Sequence, residues 1–189
     1  MTQSHNAPWH QTLRSAIKRN RADAHSRYLQ LASVDSDGWP RNRTVVFRGF
    51  DVDEEALLVV TDSRSAKLAE FQHESRGEAC WYFSRTREQF RIAVRVSVLT
   101  ADNDANGRRS EIWSTLSEAA QAQFYWPTPG IPWSDPDAQP MNNSGEVAEY
   151  FSVLCLVPER VDHLTLGKTH HRIFSERREE GWCSWVVNP

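Results

Sequence analysis

An antiparallel β-barrel with peripheral helices, mainly β in an α+β chain, is the fold this sequence predicts. Three observations carry that reading. Short runs rich in β-branched and aromatic residues recur along the chain, bounded by Asp, Gly, Ser and Pro. Helical periodicity appears in only three places. The helices that a doubly wound α/β sheet needs between nearly all of its strands are missing. A chain of 189 residues fits one domain, spanning 1–189, whose folding removes roughly 70% of the unfolded chain's accessible surface.

The first helical pattern is residues 8–21, within an N-terminal segment 1–25. Trp9, Leu13, Ala16 and Ile17 keep helical spacing, with Arg14, Lys18, Arg19 and Arg21 on the wet side. That basic run reads as a solvated helix face, so no nucleic-acid partner is expected. Tyr28–Val34 is a first strand, closed by the hairpin turn Asp35-Ser36-Asp37-Gly38. A second strand follows Trp39-Pro40 and runs through Phe50. It places Arg43, Val45 and Phe47 on one face and Thr44, Val46 and Arg48 on the other. Arg43 and Arg48 can therefore serve one site only where the strand bends, bulges or closes a barrel.

A polar turn at 51–55 leads to a third strand at 57–61. Asp62 or Ser63 caps the helix that follows, with Leu68 and Phe71 facing inward. Cys80, Trp81, Tyr82 and Phe83 mark a buried strand at 78–84. The next strand alternates most cleanly, with Phe90, Ile92, Val94, Val96 and Val98 on one face and Arg91, Ala93, Arg95 and Ser97 on the other. Ser110 caps a helix carrying Ile112, Trp113, Leu116, Ala120 and Phe124, and Pro127 stops it. Residues 127–146 hold five of the nine prolines and read as a long irregular loop, a feature usually tied to function or to an interface. Strands resume at 151–157, 161–166 and 173–175, and the last covers 182–187.

Composition narrows the function. The 22 basic and 25 acidic residues give a net charge of −3, so any anion site is local and not a general polyanion surface. Cys80, Cys155 and Cys183 form no Cys-x-x-Cys pair and fit a reduced, cytoplasmic chain. Without a long apolar run, neither a signal peptide nor a membrane partner is expected. Eight tryptophans point to a large core and an oligomer interface. No nucleophile elbow, phosphate-binding Gly-rich loop or His-Glu-x-x-His motif is present. His170 and His171 are adjacent, which sends them to opposite faces of a strand, so no metal site is expected.

The stretch 43–67 carries most of the chemistry. Ser65 supplies a hydroxyl, Lys67 a point charge and the helix start its free N–H groups, a set suited to a phosphate. An exposed helix start with ordinary polar residues is the alternative. Gln89 opens a core strand with an amide that both donates and accepts, as the mixed edge of a planar heterocycle requires.

In order along the chain stand Arg43-Thr44-Val45-Val46-Phe47-Arg48-Gly49-Phe50, Thr61, Arg64-Ser65-Ala66-Lys67, Arg87-Glu88-Gln89-Phe90, His170-His171-Arg172 and Asn188-Pro189. Together they resemble the pyridoxamine 5′-phosphate oxidase-like flavoproteins. Trp81-Tyr82-Phe83, Trp113 and Phe124-Tyr125-Trp126-Pro127 place the similarity in the cyanobacterial-type FMN-binding subgroup. The resemblance covers nearly the whole chain. It implies a split β-barrel homodimer with FMN at the subunit interface. Arg43, Thr44, Val45 and Val46 would then line the flavin and phosphate, and Thr61, Ser65 and Lys67 would hold the phosphate end. Gln89 would meet the ring edge and Arg172 would arrive from the C-terminal segment, with Arg48, Val60, Arg64 and Ala66 completing the cofactor set. Arg48, Lys168 and His170 would be the substrate-contact candidates, and NAD(P)H a candidate electron donor.

Departures from the oxidase pattern bear on the substrate. Ala66 replaces the arginine of a Ser-Arg-Lys phosphate cluster, with Arg64 as a candidate substitute. Leu164 stands where a flavin-covering Trp is expected. Ile112, Leu116 and Ala120 replace a Tyr, an Arg and a Ser of the pyridoxal-phosphate pocket, and Lys168-x-His170 replaces Arg-x-His. Each lost charge-assisted hydrogen bond weakens phosphate binding by roughly 1.5–3 kcal/mol. The implied function is an FMN-dependent oxidoreductase acting on another small molecule. A non-catalytic FMN-sequestering module is the alternative, and vitamin B6 5′-phosphate oxidation is the disfavoured third reading.

Overall fold

The computed structural model describes residues 2–4, 7–51, 55–132 and 146–189, with side chains from residue 7 onward. Among these residues nine antiparallel strands form one sheet, in the order β1-β9-β8-β7-β4-β3-β2-β5-β6. They are β1 (Thr2–Ser4), β2 (Tyr28–Val34), β3 (Pro40–Phe50), β4 (Leu57–Asp62), β5 (Arg76–Phe83), β6 (Glu88–Leu99), β7 (Phe151–Thr165), β8 (His171–Arg178) and β9 (Gly181–Val187). A further pairing of β6 with β7 closes the six strands from β7 to β6 into a barrel, leaving β8, β9 and β1 as an extension. The antiparallel split barrel with peripheral helices is therefore the observed fold.

One strand explains why the barrel is split. The sequence reads as two strands, 151–157 and 161–166, separated at Pro158, yet β7 is a single strand of 15 residues. Its first half pairs with β4, from Leu57↔Leu156 to Asp62↔Phe151, and its second half pairs with β8, from Arg160↔Glu176 to Thr165↔His171. Pro158, which has no N–H to give, sits at the register shift opposite Ala93/Val94 where that edge changes partner. Likewise β8 runs well beyond the predicted 173–175.

Helix α1 (Pro8–Asn20) lays Trp9, Leu13 and Ala16 against the barrel, and α2 (Ala66–His73) adds Leu68 and Phe71. These join Leu29, Leu31, Trp81, Phe83, Phe90 and Ile92, all essentially solvent-free, in the main core. A second core lies on the other side of β4 and β7, where Leu58, Val153 and Cys155 meet Trp113, Leu116 and Phe124.

The expected 110–124 helix is two. Helix α3 (Arg108–Ser114) starts earlier than predicted, after Gly107 in the left-handed region at φ 69°, with Ser110 inside it. The Asp104 carboxylate accepts from the N–H groups of Arg108 and Arg109 and so does the capping assigned to Ser110. Ser117 then caps the short α4 (Glu118–Ala122), and a 3-10 turn at Gln123–Tyr125 follows. Of the predicted irregular loop, residues 133–145 lie outside the described residues. Among the described residues no helix is long and apolar enough to cross a membrane.

Candidate functional site

The site grows from the joint where β4 gives way to α2. Neither Asp62 nor Ser63 is the N-cap, which falls on Ser65. Asp62 is used instead to order the turn: its carboxylate accepts from Arg64 N (2.7 Å), and its carbonyl accepts from Ser65 N (3.1 Å) and Ser65 Oγ (2.7 Å). That turn brings Lys67 back over the strand. Lys67 Nζ donates to Thr61 Oγ1 at 2.9 Å and to Ser65 Oγ at 3.0 Å, and the two hydroxyls are 3.1 Å apart. Burial, and then the charge of Arg43, hold the Lys67 ammonium below its usual lysine range.

Above this triangle lies a cavity of about 390 Å³. Thr44, Val45, Val46 and Arg48 of β3 and Val60, Thr61 and Asp62 of β4 form one side, with Lys67 at its base. Ala120, Gln123, Phe124, Trp126, Pro127 and Pro129 form the opposite wall. The volume is typical of small-molecule sites. Two larger grooves, of about 640 and 550 Å³, run along Glu159 and beside Asp35. Within them Arg95 pairs with Glu159 and Arg76 with Glu74.

Arg48 reaches this cavity because β3 bulges. The register with β4 shifts between Phe47 and Gly49, and Gly49 takes φ 149°, a value that side-chain-bearing residues rarely adopt. Arg48 Nε is buried without a hydrogen-bond partner, and burial followed by the charge of Arg27 lowers its pKa. Arg43 has another destination. Its guanidinium donates to Glu70 Oε2, Ser33 Oγ and the Leu31 carbonyl, and it does not line the cavity. Arg64 is likewise committed, to Asp62, the Trp126 carbonyl and Thr128. Four cations (Arg43, Arg48, Arg64, Lys67) thus meet two carboxylates (Asp62, Glu70). The ion pairs are Arg43–Glu70 and Arg64–Asp62, and neither Arg48 nor Lys67 pairs with a carboxylate among the described residues. A surplus of two positive charges at hydroxyls and a helix start fits a dianionic phosphate group.

The structure therefore brings together Thr44, Val45, Val46, Arg48, Val60, Thr61, Ser65 and Lys67. Ala66 is exposed on the first turn of α2. Gln89, Lys168, His170 and Arg172 do not line this cavity. Gln89 lies across from Tyr82 and Leu164, and Leu164 across from Arg172, so these side chains share one row of the outer sheet face. Arg172 holds Asp162 with two hydrogen bonds of 2.8 Å, and His170 Nδ1 accepts from Gly167 N at 3.3 Å. On one chain the predicted residues form two groups. Of the three positions aligned with the oxidase's phosphate pocket, Ala120 alone lines the cavity, whereas Ile112 and Leu116 pack in the second core. Sequence reasoning did not name Asp62, Gln123, Phe124, Trp126, Pro127 or Pro129 as lining residues. The run Phe124-Tyr125-Trp126-Pro127 and the prolines after it were the signals for the wall.

Comparison with known proteins adds the following. Residues 6–100 match the family model described as pyridoxamine 5′-phosphate oxidase, FMN-binding domain. A pyridoxine/pyridoxamine 5′-phosphate oxidase 2 of Arabidopsis thaliana is 41% identical over 198 aligned positions, covering 98% of this chain and 99% of that protein. A pyridoxamine 5′-phosphate oxidase-related, FMN binding protein of Nostoc punctiforme superposes with a TM-score of 0.92 at 39% identity, over 100% of both chains. PhzG from Burkholderia lata, solved with tetrahydrophenazine-1-carboxylic acid, shares the fold at a TM-score of 0.78 and 19% identity, over 97% of this chain and 93% of that one.

Proposed function

Because this chain belongs to the pyridoxamine 5′-phosphate oxidase FMN-binding family, we propose that it is an FMN-dependent oxidoreductase acting on a small molecule as a homodimer. The observation that carries the proposal is the Lys67–Thr61–Ser65 triangle beneath a cavity whose second cation, Arg48, has a buried unpartnered Nε. Lys67, the two hydroxyls and the first N–H groups of α2 hold the cofactor's phosphate. Thr44, Val45, Val46 and Val60 flank its ring. Bound flavin supplies the electron chemistry; the chain supplies orientation, hydrogen bonds and exclusion of water.

The second group, Gln89, Lys168, His170 and Arg172, supports the dimer reading. Gln89 and Arg172 share a row of the outer sheet face, Lys168 and His170 lie in the turn between β7 and β8, and none lines its own chain's cavity, so a second copy can present them to the neighbouring site. Arg48, at the bulge, orients an anionic or polar substrate beside the ring. The wall of Ala120, Phe124, Trp126 and Pro127 offers no cation to a substrate phosphate. The wall therefore gives a planar substrate apolar contacts, and an anionic group on it meets Arg48 or the second group instead. The Arabidopsis relative's name keeps pyridoxine 5′-phosphate as the comparison substrate.

Titration of purified protein with FMN is the first test, and a colourless protein that takes up none sinks the proposal. Sedimentation should give a dimer. Bleaching of bound flavin by NADPH with reoxidation in air separates an enzyme from a sequestering module. Reduction of the flavin by pyridoxine 5′-phosphate at a useful rate would restore vitamin B6 oxidation.

A further inference from the structure

Arg64 stands where a phosphate ligand is expected, yet its donors are spent elsewhere. Nε and one terminal nitrogen grip the Asp62 carboxylate, with the shortest contact at 2.6 Å. That same terminal nitrogen donates to the Trp126 carbonyl at 3.0 Å, and the other lies 3.4 Å from Thr128 Oγ1. The guanidinium carbon sits 4.2 Å from the centroid of the Tyr150 ring, which covers one face of the group, and the Tyr150 carbonyl accepts from Ser63 N at 2.8 Å. Trp126, Pro127 and Pro129 are cavity wall, and Asp62 is cavity floor beside Thr61. Arg64 sends side-chain hydrogen bonds to the segment 126–129 at Trp126 O and Thr128 Oγ1. Within the wall, Trp126 N donates to Gln123 O at 3.3 Å.

We propose that Arg64 is a positioning residue that fastens the Trp126–Pro127–Pro129 wall to the phosphate cradle, and that it is not a ligand of the phosphate. The inference rests on the FMN reading of the cavity and deepens it. A planar fork is needed, because one group must grip a carboxylate and reach a carbonyl on another element at once; the point charge of a lysine cannot do both. The fastened wall limits escape of whatever fills the cavity, with or without a phosphate.

The test compares FMN with riboflavin in wild type, R64A, R64K and K67A. In R64A and R64K both ligands dissociate about tenfold faster, and the FMN-to-riboflavin affinity ratio stays within about twofold of wild type. K67A instead lowers that ratio. A ratio that falls about tenfold in R64A and recovers in R64K makes Arg64 a phosphate ligand and overturns the proposal. Hydrogen exchange of the cofactor-free protein gives an independent reading: peptides spanning 123–132 exchange faster in both Arg64 variants while those of β4 do not change. Unchanged exchange at 123–132 also overturns it. Failure of wild type to bind FMN refutes the cofactor reading and leaves the exchange experiment to decide the role of Arg64. If R64A folds poorly by its circular dichroism, R64K carries the same comparison.

Discussion

The cradle at the start of α2 and the cluster of Arg19, Glu88 and His163 are both polar, both partly buried and both built where a helix meets the barrel. They differ in how their charges close. Glu88, 4% exposed, takes Arg19 Nη2 from α1 at 2.5 Å and lies 3.1 Å from His163 Nε2 on β7. The His163 ring stacks on Phe90 at 4.2 Å between centroids, and Asn20 Nδ2 bonds both Ala16 O and Thr86 Oγ1 beside it. One cation and one carboxylate face a histidine, and burial holds that histidine's pKa down. The cradle keeps four cations against two carboxylates. Burial therefore has two meanings: the charges of the first cluster pair within the chain, with Asn20 Oδ1 unpartnered beside them among the described residues, whereas the second has positive charge left for a ligand. Charge closure separates a structural cluster from a binding site more sharply than burial does.

The largest effect should come from opening the closed cluster. Glu88→Gln removes the negative charge shared by Arg19 and His163 and leaves one acceptor oxygen where each now has its own. With Arg19 half exposed, screening discounts the loss to roughly 2–3 kcal/mol, or a fall in Tm of about 4–12 °C for a chain of this size. Thermal unfolding followed by circular dichroism measures it, and a fall under about 1 °C would place the pair among unimportant surface contacts. The same kind of change in the open cluster should behave oppositely. Lys67→Ala weakens FMN by about 10–100-fold, from charge-assisted bonds of roughly 1.5–3 kcal/mol each, without lowering the Tm of the cofactor-free protein at neutral pH. The sign follows from Lys67's depressed pKa. The folded chain holds that proton less tightly than the unfolded one, so stability rises as pH climbs from the lowered value toward 10.5. Loss of that alkaline rise in Lys67→Ala is the measurement that sharpens the contrast. A smaller effect is expected at Arg48. Arg48→Met removes a buried, unpartnered Nε, so the cofactor-free protein gains about 1 kcal/mol in urea unfolding, and substrate-dependent flavin reduction falls. A loss of stability there would show that the bulge needs the arginine.

The two regions also differ in how far they could be read from sequence. Period-two alternation in β6 and the Asp-Gly hairpin after β2 are local, and each element forms close to where the residues place it. Partner choice is not local. Pro158 reads as a strand break, but β7 passes through it because the break falls where its edge changes partner from β4 to β8. Within the site, the order Thr61, Ser65, Lys67 was legible because one turn holds all three. The destination of Arg43 was not, since Glu70 and Ser33 come from other elements, 27 and 10 residues away in sequence. The partners of Arg64 were not legible for the same reason: Trp126 and Thr128 are more than 60 residues distant.

The smallest expected effect tests the closed cluster by protonation instead of mutation alone. His163 has its pKa lowered from 6.5, first by burial, with Glu88 opposing and the charges of His171 and Arg19 adding to the shift. A depressed histidine gives stability that is complete above 6.5 and is lost as pH falls through the folded-state value, because the unfolded chain takes the proton first. Tm should therefore decline below about pH 6.5, within the range where an ordinary histidine titrates. His163→Phe, which keeps a ring against Phe90, should flatten that decline. Arg19→Ala removes a charge that lowers the pKa, so the folded-state value should rise toward 6.5 and the acid decline should become smaller. An acid decline that His163→Phe leaves untouched would assign it to carboxylates elsewhere, and the closed cluster would then be no more than a packed contact between α1 and the barrel.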